Sequence, residues 1–431
     1  MTTFHSTGAP PNIIPRSGHN ISRANISESA IKVLYQLKKA GFEGYLVGGS
    51  VRDLLLGRKP KDFDIVTNAH PEQVRDLFRK RCILIGRRFR LAHVRFGGEI
   101  IEVATFRGLG DALDDGDRVT VDGRIVRDNV YGTSIAEDVW RRDFSINGLY
   151  YSIADFSVTD FAGGMADLDA RTLRLIGDPE MRYREDAVRT LRAARFAAKL
   201  DFRIHPDTEA PIREFGKLLE AVPPARLFDE VLKLFQGGHA LASFRVLRHY
   251  GLFDQLFPAT ASVFAEPESD FFLTLLERAL ANTDARIAEG KPVTPSFLFA
   301  ALLWGPMQQL AKRYQVRGMS PIPALEAASR EVVNEQVKHV MLPRRFTVMT
   351  KEIWALQPRL VRNVRRRPKQ TVRHPRFRAA YDFLVLRAEA GEKEVKDIAK
   401  WWTDFQENNK PVHEVPAKKS GQARRHFGKK K

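Results

Sequence analysis

Apolar residues change their spacing once along the chain. Up to about residue 154 they gather in short β-prone runs separated by glycines, and from about 155 onward they recur every three or four residues. Residues 27–40 are an early helical stretch, closed by Gly41. Residues 45–47 form a brief apolar run that stops at Gly48 and Gly49. Ser50 then opens a stretch with Val51, Leu54, Leu55 and Leu56 at helical spacing, so the pattern predicts strand, tight turn and helix start. Residues 99–106 read as a further strand. Residues 107–126, rich in Gly and Asp, predict a mobile acidic loop. Helical spacing marks 183–198, 221–235, 271–280, 295–304 and a helix ending near residue 408 that carries Trp401 and Trp402. A chain of 431 residues exceeds one typical core. The expected fold is α+β: a flexible leader at 1–20, an α/β head at 21–154, an all-α neck at 155–235, a helical body at 236–408 and a disordered basic tail at 409–431.

The chemistry gathers around the glycine turn. Gly48 and Gly49 allow positive φ and close approach of a triphosphate, and the N–H groups opening the next helix face its charge. Arg52 can add a charge-assisted contact. Strand side chains alternate, so Asp62 and Asp64 share one face while Phe63 points to the buried one. Two carboxylates that close repel by roughly 4 kcal/mol at about 4 Å and an effective dielectric near 20, which calls for a cation. Mg²⁺ suits them, because it takes oxygen ligands and is usually held by one or two carboxylates plus substrate phosphates. An isolated Asp-x-Asp is an ordinary solvated strand end; the turn upstream makes this one a candidate metal site.

Glu102, on the predicted strand at 99–106, and Asp143, beside Arg141 and Arg142, are both candidates for a third catalytic carboxylate. The residues favour Glu102 as a metal ligand because a strand would hold it. On a predicted continuous helix at 183–198, Asp186, Arg189 and Arg192 project along one face. A carboxylate beside a guanidinium complements the N6 donor and N1 acceptor of adenine. The plainer use of that pair is a surface ion pair worth about 0.2–0.5 kcal/mol.

Taken in order, the glycine turn, Asp62-Phe63-Asp64, Arg141-Arg142-Asp143 with Asn147, and Glu185-Asp186-x-x-Arg189 resemble the class II template-independent nucleotidyltransferases. That family includes bacterial poly(A) polymerases and tRNA CCA-adding enzymes, and the match runs from about residue 19 to beyond 234. Residues 84–94 resemble the segment that separates the poly(A) polymerases from their CCA-adding relatives. The resemblance implies an enzyme that adds AMP from ATP to RNA 3′ ends, with CCA addition to tRNA as the alternative and non-catalytic RNA binding as a remote one. It implies Asp62, Asp64 and Asp143 as catalytic residues, the first two as metal ligands. It further implies Gly48, Gly49 and Arg52 as the triphosphate turn, and Arg142, Asn147, Asp186, Arg189 and Arg192 as nucleotide contacts. The family favours Asp143 as the third carboxylate, so it and Glu102 both stand.

A net charge of +18 attracts polyanions. It is concentrated in a late stretch with Arg362, Arg365, Arg366, Arg367, Lys369 and Arg373, and again in the terminal tail. These six residues are the expected contacts for single-stranded RNA, each neutralised phosphate steepening the salt dependence by a slope of about 0.7. Cys82 stands alone, which excludes internal disulfides and cysteine-rich zinc sites and suits a cytoplasmic protein. The leader lacks the apolar segment of a signal peptide, and no apolar run is long enough to span a membrane. His93 reads as a packed or hydrogen-bonded residue rather than a metal ligand. There is no Walker P-loop, so ATP is expected as substrate. A monomer is expected, with RNA-chaperone or degradosome proteins as candidate further partners.

Overall fold

The structure, a computed structural model, describes residues 10–86, 90–108, 118–121, 124–128, 130–267, 269–362 and 368–408. These residues are mixed α+β. Twelve strands among the described residues are numbered in chain order: β1 Asn12–Ile14, β2 Gly44–Val47, β3 Asp64–Thr67, β4 Cys82–Ile85, β5 Leu91–Phe96, β6 Glu99–Thr105, β7 Arg118–Val121, β8 Arg124–Asp128, β9 Leu149–Ser152, β10 Val158–Asp160, β11 Thr172–Leu173 and β12 Arg203–Ile204. Eight of them form one sheet in the order β1-β10-β9-β2-β3-β6-β5-β4, in which β3 and β6 run parallel and every other pair antiparallel.

Alternation along the strands separates two faces. In β6, Ile101, Val103 and Thr105 are buried beneath the helices Glu28–Lys39 and Pro71–Phe78, while Ile100 and Glu102 are open. Ser27 caps the first of these helices, its hydroxyl accepting from the Ser29 and Ala30 amides at 3.1 and 3.4 Å. Gly44 lets that helix press close, because a Cβ there would lie 3.3 Å from both Leu34 and Leu37.

Three boundaries differ from those expected. Residues 12–14 lie within the expected flexible leader, yet they pair with β10 as an edge strand, and the His19 ring hydrogen-bonds the Phe156 carbonyl at 2.9 Å. β10 itself falls in the expected all-α neck. Strands this short carry little periodicity, and β1 takes its hydrogen bonds from a partner far along the chain. The acidic segment at 107–126 contains β7, which pairs with β8; residues 109–117 lie outside the described residues.

From Pro179 onward the neck and body are helical apart from the two-residue strand Arg203–Ile204, which pairs in parallel with Thr172–Leu173. Helix Pro224–Phe235 buries Leu227, Phe228, Val231, Leu234 and Phe235, with the Phe228 ring stacked on Phe299 at 6.1 Å. The chain divides into two compact units, 1–351 and 352–431, so the expected body at 236–408 is split. In the second unit, helices Phe377–Glu389 and Lys393–Asn408 gather with Leu356 and Leu360 around Trp402. Trp402 is fully buried and its indole N–H donates to the Leu360 carbonyl at 3.0 Å, so it serves packing rather than base stacking. Trp402→Ala is expected to cost about 3–5 kcal/mol, read as an earlier transition for this unit in chemical denaturation. Of the expected RNA contacts, Arg362, Lys369 and Arg373 are exposed, and Arg365, Arg366, Arg367 and the tail at 409–431 lie outside the described residues. Among the described residues no helix is long and apolar enough to cross a membrane.

Candidate active site

The strand β2 ends at Val47, and Gly48 turns the backbone with φ +72° into the short helix Gly49–Leu55. A Cβ on Gly48 would sit 3.9 Å from the Asp64 carboxylate and 4.0 Å from the Arg142 guanidinium, so glycine brings bare backbone alongside both groups. Arg52 takes a different place from the one expected. It is 2% exposed, donates to Asp53 at 2.9 and 2.7 Å and to the Asn147 side-chain oxygen at 2.7 Å, and lies 5.3 Å over the Phe196 ring. Asn147 in turn donates to Asp143 at 3.2 Å. Arg52 and Asn147 therefore brace the turn from beneath.

Asp62 and Asp64 are exposed on either side of buried Phe63, in keeping with strand alternation, although the hydrogen-bonded ladder begins only at Asp64. The parallel register sets Asp64 opposite Glu102, and the antiparallel register sets Glu102 opposite His93. The His93 Nε2 is 3.4 Å from the Glu102 carboxylate. Solvent reaches Asp64, but its carboxyl sits in the walls of a cleft. Burial there, followed by the charge of Glu102, pushes its pKa up to about 6; Arg142 opposes this and Asp62 adds to it.

Asp143 is differently employed. One carboxylate oxygen accepts from the Phe144 amide at 2.9 Å and from Asn147; the other accepts from Arg192 Nε at 2.8 Å and from its Nη2. Burial alone would raise its pKa, and the Arg192 guanidinium overrides that, holding it well below the usual carboxylate range. Glu102 faces Asp64 across the sheet, whereas Asp143 is bound within an arginine–asparagine brace.

The cleft has a volume of about 410 Å³. Its wall carries six carboxylates and seven arginines, so it is suited to a ligand that is anionic at one end and bound to a cation there. Asp64 and Glu102 lie on the sheet wall; Asp186, Arg189, Arg192 and Arg226 come from the neck. The expected continuous helix is broken: Pro179–Glu185 and Val188–Leu200 are separate, with Asp186 extended at φ −154° and ψ 95° and accepting from the Val188 amide. The break changes the pairing. Asp186 binds Arg226 at 2.5 Å, while Arg189 donates to Glu185 at 3.0 Å and to the Arg182 carbonyl at 2.6 Å.

Arg226, Glu230, Arg182 and Asp138 were not evident as site residues from the chain. Asp138, 3% exposed, accepts from Arg142 at 2.9 and 2.7 Å and from the Tyr150 hydroxyl at 2.8 Å, and so aims the arginine beside Gly48. Arg226 and Glu230, four apart beside the apolar stripe of Pro224–Phe235, with Glu230 itself buried, had a visible helical spacing but no local clue to their partners.

The residues present fit a divalent cation. Their donors are hard carboxylate oxygens, and the raised pKa of Asp64, caused first by burial and then by the charge of Glu102, marks a carboxylate whose charge a cation would stabilise. Among the described residues no group of three or more His, Cys, Asp and Glu is arranged to hold a metal ion.

Residues 44–174 match the Poly A polymerase head domain, residues 201–264 a probable RNA and SrmB-binding site of polymerase A, and residues 317–431 the polymerase A arginine-rich C-terminus. The sheet, its glycine turn and the carboxylates beside it thus define a nucleotidyltransferase. Poly(A) polymerase I of Salmonella typhi is 51% identical over 93% of this chain and 86% of its own length, and that of Haemophilus influenzae 46% over 92% and 88%. The chain belongs to the poly(A) polymerase I family. A CCA-adding enzyme of Lactobacillus helveticus is 39% identical, but over 50% of the chain and 52% of its own length. Among solved structures, the Bacillus stearothermophilus CCA-adding enzyme in complex with CTP is similar with TM-score 0.58 and 25% identity, covering 89% of this chain and 83% of that one.

Proposed function

We propose that the protein adds AMP from ATP to the 3′ ends of single-stranded RNA without a template, releasing pyrophosphate, in the bacterial cytoplasm. The observation that carries this reading is the row of Asp64 and Glu102 beside the Gly48 turn, in a chain whose likeness to poly(A) polymerases extends over nine-tenths of its length. Asp62 and Asp64 would hold Mg²⁺ together with substrate phosphates, with Glu102 as a further carboxylate beside Asp64, and the ion when bound lowers the pKa of a hydroxyl and neutralises a leaving pyrophosphate. The Gly48–Gly49 backbone and Arg142 receive the triphosphate. Asp186, Arg189 and Arg226 take the adenine, the carboxylate accepting from N6 and a guanidinium donating to N1. Arg52, Asn147, Asp143 and Arg192 hold these groups at their places, so positioning and charge neutralisation supply most of the catalysis. The arginine-rich stretch with Arg362, Arg365, Arg366, Arg367, Lys369 and Arg373 holds the growing strand through its phosphates.

The test is incubation of the protein with Mg²⁺, a generic single-stranded RNA or a tRNA lacking its 3′ end, and each nucleoside triphosphate separately. A long ladder with ATP on the generic RNA is expected. Addition that stops after C, C and A on the tRNA alone would replace this reading with CCA addition.

A further inference from the structure

The face of the sheet that carries Asp64 and Glu102 does not end with them. Register pairs continue the row Asp64–Glu102–His93 to Ile83 on β4. A second row sets Arg95 opposite Ile100, and a third sets Leu91 opposite Ile85. All of these side chains project from the same face, because they lie two residues apart along their strands. Ile83, Ile85 and Ile100 are large apolar residues left 41%, 37% and 47% exposed, although alternate positions on the same strands are buried. Arg95 is exposed among them, and Arg79, Lys80 and Arg81 are exposed where the chain enters β4. An apolar platform with cations on its border, continuous with the catalytic carboxylates, marks a binding surface rather than a bare sheet face.

We propose that the open face of β4, β5 and β6 receives the 3′-terminal nucleotides of the RNA strand to be extended. The argument rests on the proposed function and adds the place from which the acceptor arrives. Strand β3, with Asp64, has β2 and its Gly48 turn on one side and β6 on the other. If the pyrophosphate leaves toward Gly48, an in-line displacement requires the attacking hydroxyl to come from the opposite side, over β6. The terminal bases and riboses cover Ile83, Ile85 and Ile100, and Arg95 meets a backbone phosphate. His93, between Ile83 and Glu102, hydrogen-bonds the carboxylate and so positions it next to that strand. Leu91, at the edge of this surface, also lines the cleft.

The experiment uses the full chain. An oligoadenylate primer carrying 4-thiouridine at its last or second-last position is cross-linked, and the labelled peptide is identified. In parallel, primer extension is measured for Ile83→Glu and Arg95→Glu, both on the exposed face, with the melting temperature as a check on folding. The expected results are a cross-link within residues 83–100, and KM for the primer raised about tenfold in each variant with KM for ATP within twofold of the parent. Cross-links elsewhere, or an unchanged primer KM in folded variants, overturn the platform. A cross-link mapped on the parent protein answers the question even where a variant melts early. Inactivity of the parent on the same primer would overturn the proposed function itself, and the cross-link would still decide whether RNA lies on this face.

Discussion

Asp64→Asn is expected to lower AMP addition by at least about 10³-fold while leaving the protein folded and no less stable. The loss follows from removing a charge that no neighbouring group can replace at the point where the triphosphate meets the metal. The stability result follows from the pKa. Burial and Glu102 raise the Asp64 carboxyl from 3.8 to about 6, so ionising it is harder in the folded protein than in the unfolded chain. The resulting destabilisation is absent below the unfolded value, builds as pH rises through the interval and is complete above about 6. In metal-free buffer the asparagine variant should therefore melt at or above the parent at pH 7.5, and the difference should vanish below about pH 4. Parental activity would remove Asp64 from the metal site, and a large drop in melting temperature at pH 7.5 would show that the carboxylate supports the fold.

Asp143→Ala and Glu102→Ala are expected to fail in opposite ways. Losing Asp143 strands the Arg192 guanidinium and frees Asn147. Breaking such a pair costs about 3–5 kcal/mol, and about 3 is expected here because roughly a third of Arg192 remains in contact with water. Its pH dependence has the reverse sign to that of Asp64. A carboxyl held below its ordinary value of 3.8 contributes stability that is present above that value and lost as pH falls toward the depressed one. The gap in stability between parent and Asp143→Ala should thus be full at pH 6 and narrow below about 4. Glu102→Ala, on an open strand face, should lose activity by about 10²-fold or more with its melting temperature nearly unchanged. Denaturant unfolding and primer extension on the same two preparations separate the roles. If Glu102→Ala extends RNA normally while Asp143→Ala is stable and inactive, the third carboxylate is Asp143.

Several features of the site were legible along the chain because they depend on neighbours a few residues apart. The glycine turn follows from an apolar run that stops at Gly48 and Gly49 before a helical spacing begins. The exposure of Asp62 and Asp64 about buried Phe63 agrees with the two-residue period of a strand, and so does the open position of Glu102. The amphipathic helix expected at 221–235 was equally plain, its apolar stripe marking core residues, and it begins at Pro224. The change from a β-rich head to a helical neck and body was read from the same periodicities.

What the chain did not disclose is which charges meet. Arg52 had the composition of a phosphate ligand, yet folding places it under Asn147 and Asp53. Arg192 belongs to Asp143, 49 positions away, and Asp186 to Arg226, 40 positions away. Such pairings cross between strands and helices, and no local pattern distinguishes one arginine from another as the partner. The break of the helix at Asp186 has the same origin: propensity favours continuing through Ala187, and the extended Asp186 is held by contacts from outside the segment. Edge strand β1 likewise exists because the sheet offers it β10 to pair with. Periodicity thus set the elements and the faces of this protein, since backbone geometry repeats every 2 or about 3.6 residues. The tertiary structure alone decided register and ion pairing, since both are chosen by groups brought together only when the sheet and the neck close around the cleft.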